Sequence, residues 1–120
     1  MKVVIFDDVL CRRQPSYSMA GLELSFHEHA DDAVEVVRRE RPDVILMDFS
    51  MDSALSGAEA VARLRAASDL GPLRIVGISS DPQDNERMLA AGADDAVPKT
   101  HLRAYLHRLL DQQRLDRRLR

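Results

Sequence analysis

Three short apolar runs constrain the fold of this chain more strongly than any other feature of its sequence. They occupy residues 2–6, 44–47 and 73–78, are rich in β-branched residues and contain very few polar side chains. Runs of this length without polar alternation are typical of strands buried on both faces, as in a parallel sheet that helices cover. The sequence therefore predicts three central strands of a parallel sheet.

Two weaker strands complete the predicted sheet. Leu22, Leu24 and Phe26 alternate with polar residues, which is the pattern of a half-buried edge strand. Residues 95–98 form a short fifth candidate that ends in Pro98. Because proline has no N–H group for the hydrogen-bond ladder, this strand is also expected at an edge.

Helical segments separate the strands, and most of them begin or end at a recognisable residue. The predicted starts are Asp31 or Asp32, Ser56, Asp81 with Pro82, and Thr100, and the predicted ends are Arg41 with Pro42, and Gly92. The first connection, residues 9–20, has Pro15 in its middle. Any helix there is therefore expected to be short or irregular.

Five strands that alternate with helices in 120 residues predict one α/β domain over residues 1–120. Right-handed crossovers between parallel strands would give a doubly wound sheet with helices on both faces. Because the alternating edge strand comes second in the sequence, the flavodoxin-like strand order 2-1-3-4-5 fits best.

Composition excludes several classes of protein. A net charge of −3, from 17 basic and 20 acidic residues, argues against a general nucleic-acid binder. The single cysteine, Cys11, excludes an intramolecular disulfide framework and favours a reducing compartment. The apolar runs are too short to cross a bilayer, and the N-terminus lacks a secretory pattern. We therefore predict a cytoplasmic domain that binds neither nucleic acid nor a membrane.

Polar residues stand at the point where each predicted strand ends. They are Asp7 and Asp8 after the first strand, Asp48 after the third, Ser79 and Ser80 after the fourth, and Lys99 after the fifth. In open α/β sheets, sites form beyond the carboxyl ends of the strands, where the strand order reverses. Three close carboxylates repel one another unless a cation joins them, and an all-oxygen, partly wet site suits Mg²⁺. The sequence therefore predicts a magnesium site with a hydroxyl and an ammonium group beside it.

These segments resemble the receiver domain of two-component response regulators over essentially the whole chain. The resemblance rests on residues 4–8 (VIFDD), 41–48 (RPDVILMD), the pair Ser79-Ser80, and 91–99 (AGADDAVPK). It implies a domain that accepts a phosphoryl group from a sensor histidine kinase or a histidine phosphotransfer protein. Such a domain catalyses its own phosphorylation and slow dephosphorylation, and it is not a metabolic enzyme.

The resemblance also implies roles for the residues that carry negative charge. Asp48 would be the phosphoacceptor, a carboxylate nucleophile that forms an acyl phosphate. Asp8, with Asp7 beside it, would hold Mg²⁺ together with Asp48 and the backbone carbonyl of Ser50.

Two further roles follow from the same resemblance. Lys99 would contact the phosphoryl oxygens, and Ser79 would be the switch hydroxyl. Phosphoryl transfer needs in-line positioning and neutralisation of charge, which an ammonium group and Mg²⁺ supply. The altered state would change partner binding through the loop after Ser79.

Several positions depart from the pattern of the family. Asp52 adds a fourth acid near the metal, and Thr100 stands where proline is usual. The segment 79–92 is about two residues shorter than the family pattern. Ala96 occupies the usual position of the aromatic switch residue. These departures leave the acceptor chemistry intact. They predict that the structural change after phosphorylation differs from the one usual in the family.

Other functions are compatible with parts of the sequence. A phosphorylation-independent interaction module with the receiver fold is the main alternative. Residues 6–10 resemble the start of haloacid-dehalogenase-type phosphatases, but Val9 stands where the second aspartate belongs. Flavin binding needs Gly, Ser and Thr after the first strand, where this chain has two aspartates and two arginines. His27 and His29 form a conceivable metal pair without a third ligand.

Overall fold

Strands and helices alternate along the chain, as the computed structural model describes it for residues 1–13, 20–51 and 54–118. The strands are β1 (Lys2–Phe6), β2 (Glu23–His27), β3 (Val44–Asp48), β4 (Arg74–Ile78) and β5 (Asp95–Val97). The helices are α1 (Asp8–Arg13), α2 (Ala33–Glu40), α3 (Gly57–Ala66), α4 (Pro82–Ala91) and α5 (Leu102–Arg118), with 3-10 turns at Ser68–Leu70 and Lys99–His101. The described part of the first helix has six residues, and Pro15 lies outside the described residues.

All five strands form one sheet with the order β2-β1-β3-β4-β5, and every neighbouring pair is parallel. In the middle of the sheet, Ile5 pairs with Leu46, and Leu46 pairs with Val76. This order places β1 beside β3, so the strand order reverses between them. The doubly wound, flavodoxin-like fold is therefore confirmed.

Side chains from the central strands alternate between two hydrophobic cores. Val4, Phe6, Ile45 and Met47 belong to the core shared with α2 and α3, whereas Val3, Ile5, Val44 and Leu46 belong to the core shared with α5. Each fully buried aliphatic or aromatic side chain contributes about 1.5–3 kcal/mol to stability. Burial on both faces explains why the apolar runs of β1 and β3 contain no polar alternation.

Most helix ends lie where the sequence predicts them. Ser56 and Glu59 form a reciprocal capping box at α3, and Asp81 accepts a hydrogen bond from the N–H of Gln83 at α4. Gly92 ends α4 with φ +119°, a left-handed conformation that glycine adopts without strain.

The predicted cap at Thr100 is wrong. The chain leaves β5 at Pro98, whose carbonyl accepts a hydrogen bond from the N–H of His101 at 2.9 Å. This bond closes a 3-10 turn over Lys99–His101, and α5 begins only at Leu102. Thr100 therefore lies inside the turn and does not cap α5. α5 is the longest helix, yet none of the described helices has the length and apolar character needed to cross a membrane.

Arg65 on α3 joins three segments at the edge of the sheet where the strands begin. Its guanidinium donates to the carbonyls of Gly92 and Leu73, both at 2.8 Å, and to Asp94 Oδ2 at 2.7 Å. The same Asp94 oxygen accepts a hydrogen bond from the N–H of Ile75. These bonds fix the starts of β4 and β5, and thereby the direction in which both strands approach the opposite edge.

Candidate functional site

Two buried carboxylates face one ammonium group at the carboxyl edge of the sheet. Asp7 follows β1 and is 0% exposed, and Asp48 is the last residue of β3 and is 3% exposed. Lys99, which follows β5, places its Nζ 2.9 Å from Asp48 Oδ2 and 3.0 Å from Asp7 Oδ2. The structure thus brings together three residues that are 41 to 92 positions apart in the sequence, as the strand-end rule predicts.

The two oxygens of Asp7 have different surroundings. Oδ1 accepts hydrogen bonds from the N–H groups of Val9 and Leu10, each at 3.0 Å, and so stabilises the first turn of α1. Oδ2 is buried and close to Lys99, but it makes no hydrogen bond of good geometry with a described residue. A buried carboxylate oxygen without a hydrogen-bond donor is suited to bind a cation.

Asp7, Asp8 and Asp48 form a cluster of three acids. Each offers one carboxylate oxygen, and the three oxygens lie within 4.8 Å of one another. One ammonium group balances only part of this negative charge. The donors are all oxygen atoms, and Asp8 is half-buried, so the cluster fits a hard divalent cation that keeps some of its water. Asp52, the predicted fourth acid, lies outside the described residues.

Burial shifts the ionisation of both partners in the central ion pair. Burial, together with the nearby charge of Asp7, raises the pKa of Asp48 to about 6, although the hydrogen bond from Lys99 lowers it. For Lys99, burial lowers the pKa, but the hydrogen bond to Asp48 and the close negative charges of Asp48 and Asp7 outweigh it and raise the pKa above its ordinary value. The site therefore stabilises the ammonium group and strains the carboxylate.

Gly57 fixes the backbone beneath Asp48. Its N–H donates to the carbonyl of Phe49 at 2.8 Å, so the start of α3 packs directly on the end of β3. A Cβ atom at this position would lie 2.1 Å from the Asp48 carbonyl oxygen and 2.8 Å from the Phe49 Cα. Any residue larger than glycine would therefore push the end of β3 away from the site.

An open cleft of about 480 Å³ lies in front of Asp48 and Lys99. Its other lining residues are Ser50, Ser79, Ser80, Asp81, Pro82 and Asp84. Ser79 is buried, and its hydroxyl oxygen accepts a hydrogen bond from the N–H of Asp81 at 3.1 Å. Ser80 is exposed at the mouth. The predicted site residues Ser50 and Ser79 thus line the same cleft as Asp48 and Lys99.

Sequence reasoning missed two charged residues of α4 near this cleft. Asp84 lines it and accepts a hydrogen bond from Arg87 at 2.7 Å, and the Arg87 guanidinium lies 5.7 Å from the centre of the Phe49 ring. The i,i+3 spacing of opposite charges on a predicted helix was the available signal. Arg87 offsets the charge of Asp84, so the cleft is less acidic than its composition indicates.

The two histidines proposed as a metal pair have separate partners. His27 Nε2 lies 2.8 Å from Glu40 Oε2, whereas His29 Nδ1 lies 3.7 Å from Asp32 Oδ1. In the part of the chain that the structure describes, the only group of three close metal-ligating side chains is the acid cluster. The geometry therefore favours a cation at the acids.

The sequence is similar to that of bacterial response regulators. A family model described as the response regulator receiver domain matches residues 4–111. Response regulator MprA of Mycobacterium leprae is 30% identical over 102 residues, which are 82% of this chain and 44% of that protein. Transcriptional regulatory protein PrrA of Mycobacterium tuberculosis is 30% identical over 108 residues, 88% of this chain and 46% of that protein. The chain spans about half the length of the curated relatives it matches.

The fold is also similar to that of solved receiver domains. The crystal structure of the receiver domain of sensor histidine kinase PA1611 from Pseudomonas aeruginosa has a TM-score of 0.77 and 26% sequence identity to this chain. The match covers 92% of this chain and 94% of that one. In that structure a magnesium ion is coordinated in the active site cleft.

The raised pKa of Asp48 predicts how one substitution affects stability without metal. The folded-state pKa, about 6, exceeds the ordinary value of 3.8, so protonated Asp48 adds stability at low pH that is lost as pH rises through 6. Asp48→Asn cannot ionise, and we expect it to be more stable than wild type by about 2 kcal/mol at pH 8 but by little at pH 4. Urea unfolding in EDTA at both pH values measures this difference.

The exposed acid Asp111 on α5 provides the matched control, because Asp111→Asn removes a surface charge far from the cluster. We expect no such growth of the difference between pH 4 and pH 8 for this variant. A stability difference for Asp48→Asn that is the same at both pH values would show that its carboxylate is not strained by burial.

Proposed function

The chain belongs to the response regulator receiver domain family, and we propose that Asp48 accepts a phosphoryl group from a sensor histidine kinase or a histidine phosphotransfer protein. The observation that carries this proposal is the buried Asp48 carboxylate at the carboxyl end of β3, with Lys99 Nζ at 2.9 Å and an open cleft in front of it. Membership of the receiver domain family supports a phosphoacceptor role in signalling. Asp48 is the residue whose position fits that role.

In the proposed reaction, an Asp48 carboxylate oxygen attacks the phosphorus atom of a phosphohistidine. The new bond is an acyl phosphate, the phosphorus–nitrogen bond breaks, and the donor nitrogen keeps the electron pair and takes up a proton. Lys99 then faces the phosphoryl oxygens as well as the carboxylate, and its positive charge stabilises the negative charge that spreads over these oxygens. Ser80 is small and exposed, so it leaves room for the entering group.

We assign a Mg²⁺ site to Asp8, Asp48 and the backbone carbonyl of Ser50, with Asp7 beside it. The cluster of three carboxylate oxygens and the buried Asp7 Oδ2 support this assignment. The magnesium ion in the cleft of the Pseudomonas aeruginosa receiver domain supports it as well. When bound, Mg²⁺ would neutralise negative charge on the acids and on an incoming phosphoryl group.

The domain would act on itself rather than turn over a metabolite. Asp48 is consumed as the acyl phosphate forms and regenerated when water hydrolyses it, so the product of the reaction is an altered state of the chain. A change in the position of Ser79 relative to the start of α4 would transmit that state to a partner. Ser79 supports this because its hydroxyl oxygen accepts the N–H of Asp81, while its own O–H group can donate to an anionic oxygen.

Phosphorylation predicts a mass gain that depends on Asp48. Incubation of the chain with Mg²⁺ and acetyl phosphate should add about 80 Da, the mass of one phosphoryl group. Asp48→Asn should show no gain, because an amide lacks the nucleophilic oxygen, whereas Asp111→Asn should match wild type. Intact-mass spectrometry gives the result. No gain in wild type would favour the phosphorylation-independent interaction module, and an equal gain in Asp48→Asn would place the acceptor elsewhere.

Metal binding predicts a different dependence. Asp8→Asn removes one proposed ligand and should weaken Mg²⁺ binding by about tenfold or more. Asp84→Asn, also at the cleft but bonded to Arg87, should change the affinity by less than about twofold, because it only alters the surrounding charge. Titration with Mg²⁺ followed by amide NMR shifts measures both variants. Equal weakening by the two variants would indicate general charge attraction instead of ligation.

The readout predicts a local change in the backbone. Ala96 is the half-buried residue at the usual switch position, and it has no side chain that swings. Beryllofluoride, a phosphoryl mimic, with Mg²⁺ should therefore alter amide hydrogen exchange mainly over residues 79–88. Strong changes at Ala96 and Tyr105 with none over 79–88 would contradict this readout.

A further inference from the structure

Asn85 in the first turns of α4 joins the ends of two strands with its side chain. It is 9% exposed, and its Nδ2 donates to the carbonyl of Ser79 at 3.1 Å and to the carbonyl of Val97 at 3.2 Å. Ser79 directly follows β4, and Val97 is the last residue of β5. One amide group therefore connects α4, β4 and β5 at the edge where the site lies.

The backbone ladder between β4 and β5 ends at this point. Ile78 pairs with Val97, and the N–H of Ser79 donates to the Val97 carbonyl at 3.3 Å. In a parallel ladder, the Ser79 carbonyl would next accept from the N–H of Lys99. That residue instead begins the 3-10 turn, and no such bond occurs among the described residues. The Asn85 amide supplies the missing donor.

Packing alone does not explain an asparagine at this position. Its Oδ1 is buried and has no hydrogen-bond partner in the described part of the chain, which costs stability. A reversed amide would turn Oδ1 toward two carbonyl oxygens, so the two acceptors fix its orientation. An apolar side chain of similar size would avoid the unpaired oxygen but would lose both bonds. The two donated hydrogen bonds are therefore what asparagine provides at this position and an apolar residue does not.

We propose that Asn85 is a positioning residue for phosphoryl transfer, a role that rests on the proposed function of Asp48. Its two bonds set the separation between Ser79, which carries the hydroxyl, and Val97, which lies two residues before Lys99. Loss of these bonds lets the ends of β4 and β5 separate, so that hydroxyl and ammonium are misplaced together. The acid cluster lies at the ends of β1 and β3 and at the start of α1, which Asn85 does not contact through these bonds, so the carboxylate ligands keep their positions.

The test compares Asn85→Leu, which keeps the branching and the number of heavy atoms without the donor, and the smaller Asn85→Ala with Met88→Ala. Met88 is fully buried on the same helix, so its truncation loosens the packing of α4 without removing either bond. With acetyl phosphate and Mg²⁺, we expect both Asn85 variants to lose about tenfold in the phosphorylation rate at saturating donor. The half-saturating donor concentration and the Mg²⁺ affinity should stay within about twofold of wild type. Met88→Ala should keep the wild-type rate within about twofold.

A second measurement on the unphosphorylated chain follows the N–H of Ser79, which donates to Val97. Its hydrogen exchange should be about tenfold faster in Asn85→Leu than in Met88→Ala if the edge has opened. Equal phosphorylation rates or equal Ser79 exchange in the two variants would overturn the role of Asn85 while Asp48 remains the acceptor. If the wild-type chain gains no phosphoryl group, the proposed function itself fails, and the role of Asn85 falls with it.

Discussion

One ammonium group between two buried carboxylates is the interaction on which the rest of this structure depends. Asp7 and Asp48 are almost entirely removed from water and carry like charges, so neither is stable there without Lys99 or a cation. The three residues lie at the carboxyl ends of β1, β3 and β5, which are not all neighbours in the sheet. Correct positions of these charges therefore require the whole sheet, and the burial that raises the pKa of Asp48 also costs stability.

The two edges of the sheet are stabilised in different ways. At the edge where the strands begin, Arg65 makes three charge-assisted hydrogen bonds that fix β4 and β5. At the edge where they end, the β4–β5 ladder stops, and the neutral amide of Asn85 joins the two strands. Neutral hydrogen bonds are weaker than charge-assisted ones. We therefore expect β4 and β5 to separate more easily at the edge where they end than at the opposite edge.

How much the sequence predicts depends on the range of the interactions involved. A strand that is buried on both faces needs an unbroken apolar run, so the position of β3 was predictable. The topology then brings Asp7, Asp48 and Lys99 to one edge of the sheet, so their proximity was predictable as well. The wrong cap at Thr100 lies in a segment with strong tertiary contacts, because the 3-10 turn that replaces the cap begins at Lys99, which contacts two carboxylates. Such contacts leave no local sequence pattern. Asn85 was missed for a similar reason. Its partners are carbonyl groups, which every residue possesses, so no sequence pattern reveals them.

If Asp48 is phosphorylated as proposed, the contacts of Ser79 provide a route by which a signal would leave the site without an aromatic switch. Its hydroxyl accepts from the N–H of Asp81, and its carbonyl accepts from Asn85, so the same residue is joined to α4 at two points. If the hydroxyl turns toward a phosphoryl group, the first bond is lost and the second is kept. A ligand shifts a conformational equilibrium only through contacts that differ between the states. The difference here lies at the N-cap of α4, so the start of that helix, rather than β5, is the segment that a partner would sense.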